Sequence, residues 1–140
     1  MQTNYLGVTS ILGLFANYFV ERGHGTLIGI SSVAGDRGRA SNYIYGSSKA
    51  GLTNFLSGMR NRLNRYGVNV ITVKPGYVMT KMTSNLDLPK FLTVSTARVS
   101  RGIYMAYKFK KDIVYIMPIW CFIMLIIRNI PEKIFKKMNF

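Results

Sequence analysis

The sequence predicts an α/β fold in which a parallel sheet is covered by helices. Three observations carry that prediction. Helical and extended apolar patterns alternate along the chain, the extended runs are short and rich in β-branched residues, and glycine or proline closes each run. The 140 residues, 49% of them hydrophobic, suffice for one compact domain with a core and fall short of two.

Met1 to Glu21 places Leu6, Leu12, Leu14, Phe15 and Phe19 among small residues, a helical pattern that Arg22-Gly23-His24-Gly25 stops. Thr26 to Ile30 follows as a strand buried on both faces and ends at Ser31 and Ser32. Val33 to Asn42 lacks apolar periodicity and is a loop leaving the carboxyl end of that strand, where open α/β sheets carry their chemistry. Tyr43 to Tyr66 spaces Ala50, Leu52, Phe55, Leu56, Met59 and Leu63 as a helix does, with Gly67 as its stop. Val68 to Val73 is a second buried strand, broken by Lys74-Pro75-Gly76. Tyr77 to Thr93 reads as a loop with a short helical turn, able to act as a flap. Ser95 or Thr96 caps a helix running to about Lys108, Asp112 to Met117 forms a third strand, and Pro118 opens another apolar helix. Lys133 to Lys137 is a basic tail. Helices alternating with strands imply parallel pairing through right-handed crossovers.

Composition removes several function classes. Cys121 is the single cysteine and His24 the single histidine, so neither a disulfide framework nor a zinc or iron cluster is available. His24 reads as a solvated turn residue and Cys121 as a small buried hydrophobe. Nineteen Lys and Arg against five Asp and Glu give a formal charge of +14, a field that attracts anionic lipid, nucleic acid or phosphorylated ligands. The basic residues are scattered and no base-reading module is present, which argues against nucleic acid. The amino terminus has no basic region followed by an apolar run and a small-residue cleavage site, so it does not read as a secretory signal, which sets the expectation of a cytoplasmic protein. The run Ile113 to Ile127, interrupted by Pro118, falls short of the roughly 20 residues that a spanning helix needs.

The chemistry concentrates in Ser32, in Tyr45 thirteen positions later and in Lys49 four further on. Tyr and Lys at this spacing share one helix face. An ammonium beside a phenol favours the phenolate and readies it for proton transfer, and Ser32 offers a second hydrogen bond to the same substrate oxygen. Together they would polarise a carbonyl. Arg37, Arg39 and Lys81 border this region and are candidates to meet an anionic substrate.

With Asn4, 28 positions before Ser32, these residues make a set that resembles the Asn, Ser, Tyr, Lys tetrad of the short-chain dehydrogenase/reductase family, and Pro75-Gly76-Tyr77-Val78-Met79-Thr80 resembles its Pro-Gly segment. The resemblance covers roughly residues 1 to 120 and implies an NAD(P)-dependent oxidoreductase interconverting a carbonyl and an alcohol. It implies Tyr45 as proton donor and acceptor, Ser32 on the carbonyl, Lys49 on the nicotinamide ribose and Asn4 on a water leading to Lys49. It also places Tyr45, Lys49, Pro75, Gly76, Val78 and Thr80 against NAD or NADP. The fold it implies is part of a Rossmann-like, doubly wound sheet. The Gly-rich phosphate turn that normally opens such a domain has no counterpart here, so the phosphate-binding half is expected to be absent, as in a truncated or split chain that grips a dinucleotide weakly. Homo-oligomer formation through the first helix and the Tyr/Lys helix follows from the same resemblance.

Residues 121 to 140 form an apolar and basic ending, suited to a membrane surface or a subunit contact. It is similar to the ending of the decaprenylphosphoryl-ribose 2-epimerase reductase subunits, which would imply a lipid-linked carbonyl or alcohol in place of a small-molecule one and a position at the inner face of the membrane. The rival expectation is a catalytically incomplete fragment that acts only as a binding module at such a surface.

Overall fold

The computed structural model describes residues 1–81, 83 and 87–138. A π-helical turn, Gln2–Leu6, leads into helix α1, Gly7–Arg22, which ends at Gly23 in the left-handed conformation. Strand β1, Gly25–Ile30, is followed by a 3₁₀ turn, Val33–Gly35, and by helix α2, Tyr43–Asn64. Strand β2, Val68–Lys74, comes next, then the short strands β3, Tyr77–Val78, and β4, Thr93–Val94. Helix α3, Thr96–Lys108, is capped by Ser95, whose side chain accepts a hydrogen bond from the Arg98 amide at 3.3 Å. Strand β5, Ile113–Tyr115, helix α4, Pro118–Asn129 with its proline in the first turn, and helix α5, Glu132–Phe135, complete the order.

The main sheet has the order β1-β2-β5 and both pairings are parallel, as the alternation of elements implies. Its central strand is buried nearly throughout, and the period of two decides what each face meets. Val68 and Val70 join Ala16 of α1 and Leu52, Leu56 and Leu63 of α2 in one core cluster. Ile71 and Val73 point the other way, into a cluster with Ala106 of α3 and Ile116. A third cluster, Val33, Trp120 and Met124, seats α4.

Several segments differ from the sequence-based expectation. Strand β1 is not buried on both faces: Leu27 and Gly29 are, but Ile30 is 50% exposed and Thr26 and Ile28 are half-buried. The reason is position, since β1 pairs on one side only and is an edge of the sheet. The third strand is shorter than expected. Tyr77 to Thr93 contributes β3, a 3₁₀ turn at Lys90–Leu92 and the first residue of β4; residues 82 and 84–86 lie outside the described residues. Cys121 is exposed because it falls on the outer side of α4. The tail is not free: Arg37 reaches the carboxyl end of α4 and pairs with Glu132 of α5.

Leu56 is fully buried between α2 and the sheet. Leu56→Ala is expected to lower stability by about 2–5 kcal/mol, read from the shift of a urea-denaturation midpoint.

Candidate active site

The loop that follows β1 is pressed against α2 almost backbone to backbone. A Cβ on Gly35 would stand 2.7 Å from the Lys49 carbonyl carbon and the Ala50 amide nitrogen, and one on Gly46 would stand 2.8 Å from the Ala34 carbonyl oxygen. Those distances are closer than side-chain carbons tolerate, so both positions require glycine. Ser31 fastens the same contact from the strand end. Its hydroxyl donates to the Lys49 carbonyl at 2.9 Å and shares a 2.7 Å hydrogen bond with Thr53.

Ser32 is buried and caps the 3₁₀ turn, accepting from the Ala34 amide at 3.1 Å. The Val33 amide donates to the Pro75 carbonyl at 3.0 Å, which ties the loop after β1 to the segment leaving β2. Lys49 projects from α2 toward the end of β1 and donates to the Ile30 carbonyl at 2.9 Å. Its ammonium lies 5.7 Å from the centre of the Tyr45 ring, and burial pulls its pKa below the ordinary lysine value. The Tyr45 hydroxyl is left without a hydrogen-bond partner among the described residues.

These residues wall one cleft of about 320 Å³ at the carboxyl end of the sheet. Ser32, Tyr45 and Lys49 lie on it together with Pro75, Gly76, Val78 and Thr80, so seven of the sequence-predicted site residues share a single space. Asn4 stands apart. It is exposed in the π-helical turn and lines a neighbouring hollow that shares Tyr45 and Asn42 with the cleft, and no hydrogen bond connects it to Lys49.

Of the flanking cations, Arg39 lines the cleft. Arg37 does not line it. Its guanidinium donates to the carbonyls of Ile127 and Ile130, both at 2.6 Å, pairs with Glu132 at 2.9 Å and lies 3.7 Å from the centre of the Phe135 ring. The unpaired carbonyls at the end of α4 outcompete solvent and ligand for it. Lys81 is exposed and has interactions of its own.

Sequence reasoning missed a buried polar group beneath the loop. Lys74, at the end of β2, pairs with Asp36, their side chains 6% and 3% exposed, and the Tyr115 hydroxyl donates to the other Asp36 oxygen at 2.8 Å. Burial, reinforced by that hydrogen bond and by the Asp36 charge, pushes the Tyr115 phenol above its ordinary pKa. The available signal was a lysine ending an otherwise apolar strand, which demands a carboxylate in a chain that has only five acids.

A parallel sheet with a serine, a tyrosine and a lysine gathered at its carboxyl end defines a Rossmann-like α/β protein. The model of the short chain dehydrogenase family matches residues 1–90, and the chain belongs to that family. It is 35% identical over 137 residues to an uncharacterised oxidoreductase of Streptomyces coelicolor, covering 98% of this chain and 54% of that protein. A short chain dehydrogenase from Burkholderia cenocepacia, solved in complex with NADP, superimposes with a TM-score of 0.81 at 23% identity, over 92% of this chain and 53% of that one. A gluconate 5-dehydrogenase from the same organism, in complex with NADP and tartrate, gives 0.59 at 28% identity, over 66% and 36%. The chain therefore spans about half the length of the relatives it matches.

Lys74→Met leaves the Asp36 charge buried without its counter-ion. The expected loss is about 3–5 kcal/mol of unfolding free energy, measured by chemical denaturation.

Proposed function

We propose that these residues form the proton-transfer half of an NAD(P)-dependent oxidoreductase that interconverts a carbonyl and an alcohol. The carrying observation is the single cleft shared by Ser32, Tyr45, Lys49 and the Pro75 to Thr80 segment. In reduction the Tyr45 phenol gives its proton to the substrate oxygen; in oxidation it takes that proton back. The Ser32 hydroxyl donates a second hydrogen bond to the same oxygen and polarises the carbonyl. Lys49, held beside the tyrosine ring by the Ile30 carbonyl, favours the phenolate electrostatically. Asn4 joins this set only through solvent.

The cleft volume suits the nicotinamide end of a dinucleotide next to a small substrate, not a whole dinucleotide. Tyr45 and Lys49 would face its ribose, and Pro75, Gly76, Val78 and Thr80 its carboxamide. When bound, the dinucleotide exchanges hydride with the substrate carbon. Family membership and the NADP-bound gluconate 5-dehydrogenase support the cofactor. Exposed Ile11, Leu14, Phe15 and Tyr18 along α1, with Leu6 in the turn before it, support assembly with a second copy.

A second reading, attachment to an anionic membrane surface, rests on α4. Trp120 and Met124 face the domain, whereas Ile119, Phe122, Leu125 and Ile126 are all exposed, with Arg128, Lys133, Lys136 and Lys137 following. Among the described residues no helix is long and apolar enough to cross a membrane. An interfacial contact of this kind would suit a lipid-linked substrate.

In the product of the complete reading frame that holds these residues, Tyr45→Phe is expected to lower NADPH-dependent carbonyl reduction about 10²–10⁴-fold with the fold retained, followed by absorbance of the reduced cofactor. Unchanged turnover would end the catalytic reading. Co-sedimentation with phosphatidylglycerol vesicles is expected to retain the protein at low salt and to release the Phe122→Ser, Leu125→Ser double variant. No sedimentation of the unaltered protein would end the membrane reading.

A further inference from the structure

The cleft contains polar atoms that the proton-transfer account does not use. Among the described residues four side-chain nitrogens or oxygens are closed to solvent and have no hydrogen-bond partner, and three of them belong to the wall of this one cleft: Arg39 Nε, Asn42 Oδ1 and Trp120 Nε1. Buried polar groups are nearly always partnered, so three residues with orphan atoms on the wall of one cleft point to a ligand there.

The two arginines of the loop make the point sharper. Arg37 is fully engaged by backbone carbonyls and Glu132, whereas the Arg39 guanidinium, two residues on, makes neither a hydrogen bond nor an ion pair among the described residues. The acids that are ion-paired among the described residues are held by Arg37, Arg60 and Lys74. A guanidinium presents a planar fork of donors that matches a carboxylate or phosphoryl group. Trp120 adds a second donor. Its indole nitrogen lies only 2.0 Å from where a Cβ on Gly76 would stand, so the tryptophan occupies the space that glycine leaves open beside the predicted nicotinamide site. Asn42 offers the complementary acceptor, suited to a hydroxyl.

We propose that Arg39, Asn42 and Trp120 form a specificity subsite that selects carbonyl substrates bearing an oxyanion, carboxylate or phosphoryl, together with a neighbouring hydroxyl. The proposal rests on the reading of the cleft as a reductase site. The subsite sorts substrates by charge and hydroxylation, whereas Ser32 and Tyr45 act on the carbonyl that all of them share.

Trp120 is the single tryptophan of these 140 residues, so the part of the emission that a Trp120→Phe variant loses reports the subsite without any turnover. In the complete reading-frame product, dihydroxyacetone phosphate and the carboxylate hydroxypyruvate are expected to change Trp120 emission saturably, at least tenfold more tightly than neutral dihydroxyacetone. Arg39→Met removes that preference and Arg39→Lys keeps part of it, read as the ratio of anion to dihydroxyacetone affinity, while both variants retain the unaltered circular dichroism. Equal affinity for charged and neutral probes, or an undiminished preference in Arg39→Met, overturns the subsite. If Arg39→Met does not fold, Arg39→Lys decides: an affinity equal to that of the unaltered protein for both anions overturns the proposal. Loss of hydride transfer with every probe, while the Arg39-dependent binding persists, defeats the reductase reading and leaves the subsite standing.

Discussion

The close approach of the 3₁₀ turn to α2 is the constraint on which the rest of the site depends. Gly35 and Gly46 let two backbones meet at a distance that any side chain would forbid, and Ser31 bonds across the seam to the Lys49 carbonyl and Thr53. That contact sets the height of Ser32 relative to the helix face carrying Tyr45 and Lys49. Strand β1 could supply Ser32 with a wider gap, but its hydroxyl and the phenol would then no longer border one space. The glycines act on the chemistry through distance alone.

The loop is held from its other side by charge. Asp36 is gripped by Lys74 from β2 and by Tyr115 from β5, while Arg37 binds the carboxyl end of α4 and Glu132. Adjacent residues of opposite sign thus fasten one short loop to two strands and two helices. The carboxyl-terminal elements, which place Trp120 in the cleft, are tied to the same segment that places Ser32.

Much of the fold was legible because its signals are local. The central strand advertises itself through Val68, Val70, Ile71 and Val73, α2 through its spaced leucines, and the helix ends through Gly23, Ser95 and Pro118. Ser32, Tyr45 and Lys49 were legible through spacing, since the last two share a helix face and the first follows a strand, whereas Pro75 to Thr80 was legible only through the family resemblance. What was not legible depends on partners distant in sequence. Arg37 and Arg39 look alike in a Gly-rich loop, and only the position of α4, some 90 residues later, separates a structural clamp from a free donor. Cys121 reads as buried because an apolar helix does not announce which of its sides the core will take.

The Lys74 ammonium also constrains how the end of the sheet closes. Enclosing it before Asp36 arrives would leave a charge without water or counter-ion, at a cost that exceeds the worth of any single strand contact. The carboxyl end of β2 is therefore most stable with the loop that carries Asp36 closed over it, and the Tyr115 hydroxyl ties β5 to the same carboxylate. The polar group thus couples the end of the central strand to the loop that bears Ser32.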